Sequence, residues 1–498
     1  MTNNKRLAKG AIFSLIATLL DKLHLFLLIL LIAKLLGSNE LGSYSLLQST
    51  ATMLATIISA GIGSTATRYC GMLKNDPDEL GNTISTLLCI FIFLSVITTL
   101  CIIFFPEIIN IDDFNFSFGN MTFIISLIFF FQASAMISIN ILRGFESFTT
   151  ITKILVIRSA ISLPVSILLT VAFGTSGAIL GLLIFYLTWL ILLFTNILKQ
   201  LSSLNINISI PKLKNFSVII NVINFALPFT IASIISGIYN WYLRTIIAKS
   251  PFGFQGLGIF TAVNQYALLF TMISGAIGTA AIPVLSSHAK NIDEWKDTFS
   301  IFIKNCLRII LPALLFLVPI TSYLLLIFGK EFSTFNIFAK ILLIALAINS
   351  IIWTIGPAML SKGKGWAYLI LNAVRFTLSC GISWLLLKHN FFTIMPLCFI
   401  VSDFSVCFGL LAFMIIKSKP TFSYVYMLIT VNSKITVLSA ILLIPSFFVI
   451  DLLGILWSIF STSTICYYIW KDMKPEEKSG IHKRINSLKL LLLPENNK

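Results

Sequence analysis

Residues 41–63 read LGSYSLLQSTATMLATIISAGIG, without one charged side chain. Residues 257–278 read LGIFTAVNQYALLFTMISGAIG and are equally uncharged. Each is long enough to cross a bilayer core of about 30 Å as a helix, which takes roughly 20 apolar residues. The two also share punctuation. Leu41-Gly42-Ser43-Tyr44 answers to Leu257-Gly258-Ile259-Phe260, and Ile58-Ser59-Ala60-Gly61-Ile62-Gly63 to Ile273-Ser274-Gly275-Ala276-Ile277-Gly278. Upstream, Ile32-Ala33-Lys34 answers to Ile247-Ala248-Lys249, so three blocks recur at nearly one offset along the chain. Each repeat holds six apolar passes, which bring the chain back to the same side, so the repeats run parallel about an axis along the membrane normal. The fold class that follows is an all-α polytopic membrane protein. Two parallel six-helix repeats form facing lobes around a central cavity.

Working outward, apolar blocks place helices near 11–36, 41–63, 83–105, 121–142, 150–172, 176–198, 217–247, 256–284, 299–328, 334–360, 366–387, 391–416, 435–450 and 452–470. That makes about 14, with twelve spans and a re-entrant tail as the alternative, because 435–450 is short and Asp451 sits in its turn. The domain plan is an N-terminal lobe over 1–198, a cytoplasmic linker over 199–216, a C-terminal lobe over 217–416, an accessory helix pair over 417–470 and a basic tail over 471–498. Lys5 to Lys9 followed by Ala11 to Leu20 imitates a signal peptide. Asp21-Lys22 interrupts the apolar run and no small-residue cleavage site follows, so it reads as a retained first helix.

The chain is 57% hydrophobic and 11% charged, against about 25% charged in soluble domains. Soluble enzymes and nucleic-acid binders are thereby excluded. A transmembrane barrel would show alternating segments of about ten residues instead. The net charge of +16 is mostly topology. With the N-terminus inside, cytoplasmic segments hold 24 Lys and Arg and the opposite side holds five, Lys34, Lys249, Lys330, Lys340 and Lys388. This puts both termini in the cytoplasm.

What topology does not absorb is a set of charges inside the spans. Six are basic, Lys22, Arg158, Arg244, Lys304, Arg308 and Arg375, and two are acidic, Asp21 and Asp403. An Arg at the centre of a span costs about 2.5–3.5 kcal/mol on insertion scales, so such residues face a partner or a water-filled cavity. Lys304 and Arg308 lie within two turns of the cytoplasmic end and read as snorkelling side chains. Arg244, beside Trp241 and Tyr242, reads equally as an interfacial anchor or a cavity residue. Ser14, Thr18, Asp21 and Lys22 fall along one helix face and suggest a polar stripe toward a lumen. Arg158 and Arg375 occupy equivalent helices of the two repeats, with apolar flanks and no acid close by in sequence. They are the leading candidates for a cationic cavity, with Arg244 and Lys22 beside them. Asp21 and Asp403 are candidates for a counter-ion or a coupling-cation ligand.

A planar guanidinium suits phosphate oxygens. A cationic lumen walled by apolar helices therefore points to an anionic amphiphile whose tail stays in lipid. A lipid-linked phosphate or pyrophosphate meets both conditions. Moving two negative charges outward across about 100 mV gains roughly 4–5 kcal/mol. No catalytic constellation emerges. The four histidines have no metal-ligand spacing, no phosphate loop of GxxxxGK[ST] type occurs, and the eight scattered cysteines read as small core hydrophobes. No cofactor or metal is expected.

The run from Ala33 to Leu46, AKLLGSNELGSYSL, resembles the first loop of Wzx-type polysaccharide flippases, where a basic residue, Leu-Gly, an acidic residue and Gly-Tyr recur. Gly61-Ile62-Gly63 followed by Arg68 resembles that family's second helix and its cytoplasmic end. Motif matches carry over Lys34, Gly42 and Arg68; this chain has Lys34 where Arg is commoner, which weakens a bidentate grip on phosphate at that position. The resemblance implies the multidrug/oligosaccharidyl-lipid/polysaccharide exporter superfamily. It further implies outward transfer of undecaprenyl-pyrophosphate-linked oligosaccharide across the bacterial inner membrane, for O-antigen or related polymers, by alternating access. The implied partners are the lipid-linked substrate, membrane lipids, a coupling proton or sodium ion and polysaccharide polymerase machinery, with no nucleic acid. The rivals are a drug/cation antiporter of the same superfamily, for which six bases against two acids is the wrong balance, and a polymerase or ligase enzyme, for which the external stretch 106–120 is short.

Overall fold

The computed structural model describes residues 3–73, 76–104, 121–204, 206, 216–287, 291–352, 354, 359, 365–416, 433–448 and 452–473. In chain order the helices are α1 (Asn3–Met72), α2 (Pro77–Phe104), α3 (Met121–Gly144), α4 (Phe148–Ser203), α5 (Phe216–Ala248), α6 (Gly253–Ser287) and α7 (Ile292–Leu317). The short α8 (Thr321–Leu326) and α9 (Lys330–Ser333) lead into α10 (Asn336–Ile352), α11 (Gly365–Lys388), α12 (Leu397–Ile416), α13 (Ser433–Leu443) and α14 (Leu452–Asp472). Most of the linker 199–216, the loop 106–120 and the tail from 474 onward lie outside the described residues.

The 70 residues of α1 would extend about 105 Å at 1.5 Å per residue, far more than one bilayer. Gly37 breaks the helix, with φ 86° and ψ −177°. In α4 the break is Gly174, with φ 58° and ψ −136°. Positive φ at these values costs an L side chain energy that glycine escapes. A carboxylate stabilises the chain beside each break. Glu331 accepts from the backbone N–H of Ser38 at 2.6 Å, satisfying a donor that a helix start leaves open, and Glu40 accepts from the Thr175 hydroxyl at 2.6 Å.

Seven described helices are long and apolar enough to cross a membrane. The two broken helices each supply two passes. With three shorter apolar helices and the partly described α5 and α6, the apolar helical segments among the described residues number fourteen, as the hydropathy blocks predict. Large apolar side chains face outward along α2 and α14, among them Phe93, Phe104, Leu453 and Tyr467, each more than 60% exposed. Water does not tolerate that much contiguous apolar surface, and lipid does.

The helices divide into two compact units, and α6, α8, α10 and α12 each contribute to both. In the first unit α1 packs on α3, α4 and α5, and α11 packs on α5. Here the internal repeat is visible as contact between equivalent residues. A Cβ on Gly42 would collide with the carbonyl oxygen of Phe254, and one on Gly258 with that of Ser38. Positions 42 and 258 are separated by the same interval as 38 and 254, so the two contacts are images of each other. Thr261 donates to Ser45 at 2.7 Å, across that same interval of 216 residues. When residue i meets j and the equivalent of j meets that of i, a local two-fold relates them.

In the second unit α14 packs on α7 and α13. The start of α7 is capped by Asn291, whose side chain accepts from Asp293 and Glu294, and those two acids sit where the helix dipole favours negative charge. The Trp457 indole donates to the Leu442 carbonyl at 3.1 Å, tying α14 to α13.

Candidate functional site

Two arginines organise the buried polar groups of the first unit. On α4, Arg158, Ser162, Ser166 and Thr170 recur every fourth residue and are all at most 1% exposed. Ser162 donates to the Arg158 carbonyl at 2.8 Å and Thr170 to that of Ser166 at 2.6 Å, so these hydroxyls are satisfied within their own helix. The guanidinium carbon of Arg158 lies 4.2 Å from the centroid of the Phe185 ring and 4.6 Å from that of Trp189. These rings are four residues apart, hence on one helix face. His24 of α1 stacks on Phe185, with centroids 4.7 Å apart and planes at 20°. A desolvated cation over an aromatic face gains about 2 kcal/mol or more.

On α11 the same spacing recurs as Arg375, Ser379 and Ser383, but the facing helix differs. Asp403 of α12, fully buried, brings Oδ1 to 2.7 Å from Arg375 Nε. Asp403, a counter-ion candidate in the sequence, is thus the acid that meets Arg375. The acid is distant only in sequence, and α12 carries it back. Phe376 stacks on Tyr239 of α5 at 4.3 Å and 14°, and the Tyr239 hydroxyl lies 3.0 Å from Ser379 Oγ. Ser383 Oγ in turn lies 2.9 Å from Cys398 Sγ.

The remaining sequence candidates are dispersed. Arg244, half-buried on α5, donates to the Asn240 carbonyl at 3.2 Å and lies 5.7 Å from the Phe260 ring. Lys22 is half-buried, and the side chain of its neighbour Asp21 lies outside the described residues. Lys34 and Arg68 are exposed, with Arg68 5.9 Å from the Tyr69 ring. Gly42 belongs to the two-fold contact described above. Arg308, read as snorkelling, has an ion-pair partner at 3.9 Å in Asp472, at the end of α14. Lys340, counted with the outer basic residues, is 1% exposed.

Sequence reasoning missed the aromatic setting of Arg158 and the Tyr239–Phe376 stack. One signal was present: Arg-x3-Ser-x3-Ser occurs at 158–166 and again at 375–383.

The family described as polysaccharide biosynthesis protein matches residues 7–288, more than half of the chain and including Arg158, Phe185 and Trp189. The chain belongs to that family. No curated protein gives a significant sequence match. Among solved structures, the chain is similar to an inward-facing multidrug resistance MATE family transporter of the MOP superfamily. The TM-score is 0.68 at 15% identity, covering 82% of this chain and 100% of the other. It is similar also to the lipid II flippase MurJ in an inward closed conformation, with TM-score 0.68 at 15% identity, covering 93% and 99%. A MATE protein in a bent conformation gives 0.58 at 14% identity, covering 83% and 96%. At such identities the likeness is one of fold.

Proposed function

We propose that this member of the polysaccharide biosynthesis family is a flippase. It carries undecaprenyl-pyrophosphate-linked oligosaccharide units from the cytoplasmic to the outer leaflet of a bacterial inner membrane, for O-antigen or a related polymer. The single observation that supports this most is Arg158, a guanidinium held deep in a span between aromatic rings, in a chain of that family whose fold matches a lipid II flippase. In this reading the two lobes, 1–198 and 217–416, alternate access around the headgroup while the lipid tail stays in the bilayer. Arg158 is the principal anion contact, with Arg244 and Lys22 as further cationic groups and Lys34, Gly42 and Arg68 as family-motif positions. Both termini face the cytoplasm, and a proton or sodium ion is the candidate driving ion.

The test is complementation of a flippase-deficient strain that makes a defined repeat unit. Restored surface polymer with the wild-type chain, and its loss with Arg158→Ala at matched protein levels, is the expected result. Failure of the wild-type chain across strains with different repeat units would overturn the reading. The similar MATE transporter supplies a second reading, a multidrug antiporter. Drug resistance conferred by the wild-type chain, without restored polymer, would favour it.

A further inference from the structure

Arg375 and Asp403 are both buried, 5% and 0% exposed, and their charged atoms are 2.7 Å apart. Three helices meet around them. Arg375 sits on α11 and Asp403 on α12. Tyr239 on α5 stacks on the residue after Arg375 and reaches Ser379, one turn further along α11. A carboxylate at this distance already occupies the position an anionic headgroup would take at Nε. A phosphate arriving there would have to displace Asp403 and leave a second negative charge buried beside it. Desolvated charge without a partner is the costly state in a low-dielectric interior.

We propose that Arg375 and Asp403 are positioning residues, a neutral strut that pins α11 to α12 beside α5, and that Arg375 is not a headgroup contact. The transport side of this inference rests on the flippase reading, and the folding side does not. A strut works as a pair. Removing one member strands the other charge, whereas replacing both by apolar groups of similar volume strands neither. A headgroup contact behaves otherwise, because loss of the guanidinium is not repaired by loss of the carboxylate.

The experiment uses the full-length chain carrying Arg375→Met, Asp403→Leu, the two together, and the charge exchange Arg375→Asp with Asp403→Arg. Two quantities are read: the thermal unfolding midpoint of the purified protein in detergent, and surface polymer in the complemented strain at matched protein levels. Each single substitution is expected to lower the midpoint and to cut export several-fold. The double Met/Leu variant is expected to recover most of the midpoint and to export within about twofold of wild type, and the charge exchange to recover part of both. A double variant that unfolds like wild type but exports as poorly as Arg375→Met would overturn the proposal, as would midpoint losses that simply add. Where a single variant yields no folded protein, the double variant's export and midpoint decide the question alone. If the wild-type chain fails to complement, the flippase reading falls while the unfolding cycle still tests the strut.

Discussion

Arg158 and Arg375 occupy the same place in two copies of one plan, yet their surroundings have diverged. Both have serine at the fourth and eighth residue beyond. The facing helix makes the difference. The first repeat presents Phe185 and Trp189 to its arginine, and the second presents Asp403. Aromatic faces attract a guanidinium through their quadrupole without carrying a formal charge. A carboxylate attracts it by cancelling its charge. The repeat therefore preserved the arginine while the neighbouring helix reassigned what that arginine can do.

This contrast can be broken by experiment, most sharply at Arg158 itself. Arg158→Ala is expected to lower export at least tenfold at matched protein level, measured as surface polymer. A value near wild type would remove the functional difference between the two sites. Tyr186→Asp introduces a carboxylate such as the second repeat carries, at a position whose ring lies against Phe185 and Trp189. It is expected to reduce export several-fold, with Tyr186→Asn as the uncharged comparison reducing it less; equal effects would show that shape rather than charge matters there. Trp189→Leu should lower export a few-fold and Trp189→Phe less than twofold, because Phe keeps a π face and Leu does not. Last, the glycine pair asks whether the repeats are mechanically equivalent where they are chemically different. Gly42→Ala and Gly258→Ala each put a methyl group against a backbone carbonyl, an overpacking that costs about 1–3 kcal/mol. The two unfolding midpoints are expected to fall by the same amount, and a clear inequality would show that the local two-fold is not an energetic one.

Much of the fold was legible because hydropathy and length act locally. A run such as Leu41 to Gly63 needs no knowledge of its neighbours to be read as a span. Gly37 and Gly174 lie between expected spans, where the structure breaks α1 and α4. The repeat was legible too, since a nearly constant offset between matching blocks is a property of the string. The site was legible by halves. Arg158 and Arg375 stood out as charges among apolar neighbours, whereas their partners did not. Phe185 and Trp189 belong to the pass after the one that carries Arg158, and in a chain with 43 phenylalanines and eight tryptophans nothing in composition marks these two. Asp403 was visible as an intramembrane acid, but any of six bases was a candidate to meet it.

By itself, then, the sequence determined that the chain lives in a membrane, crosses it about fourteen times, repeats itself and carries an arginine at one equivalent depth in each copy. All of these depend on residues close together along the chain or on the spacing between copies. Tertiary structure alone decided that Arg158 meets Phe185 and Trp189, that Arg375 meets Asp403, and that Gly42 and Gly258 press against each other's repeat. Those contacts depend on how helices rotate about their axes and which faces they turn to one another. Packing of whole helices settles that, and no local pattern records it.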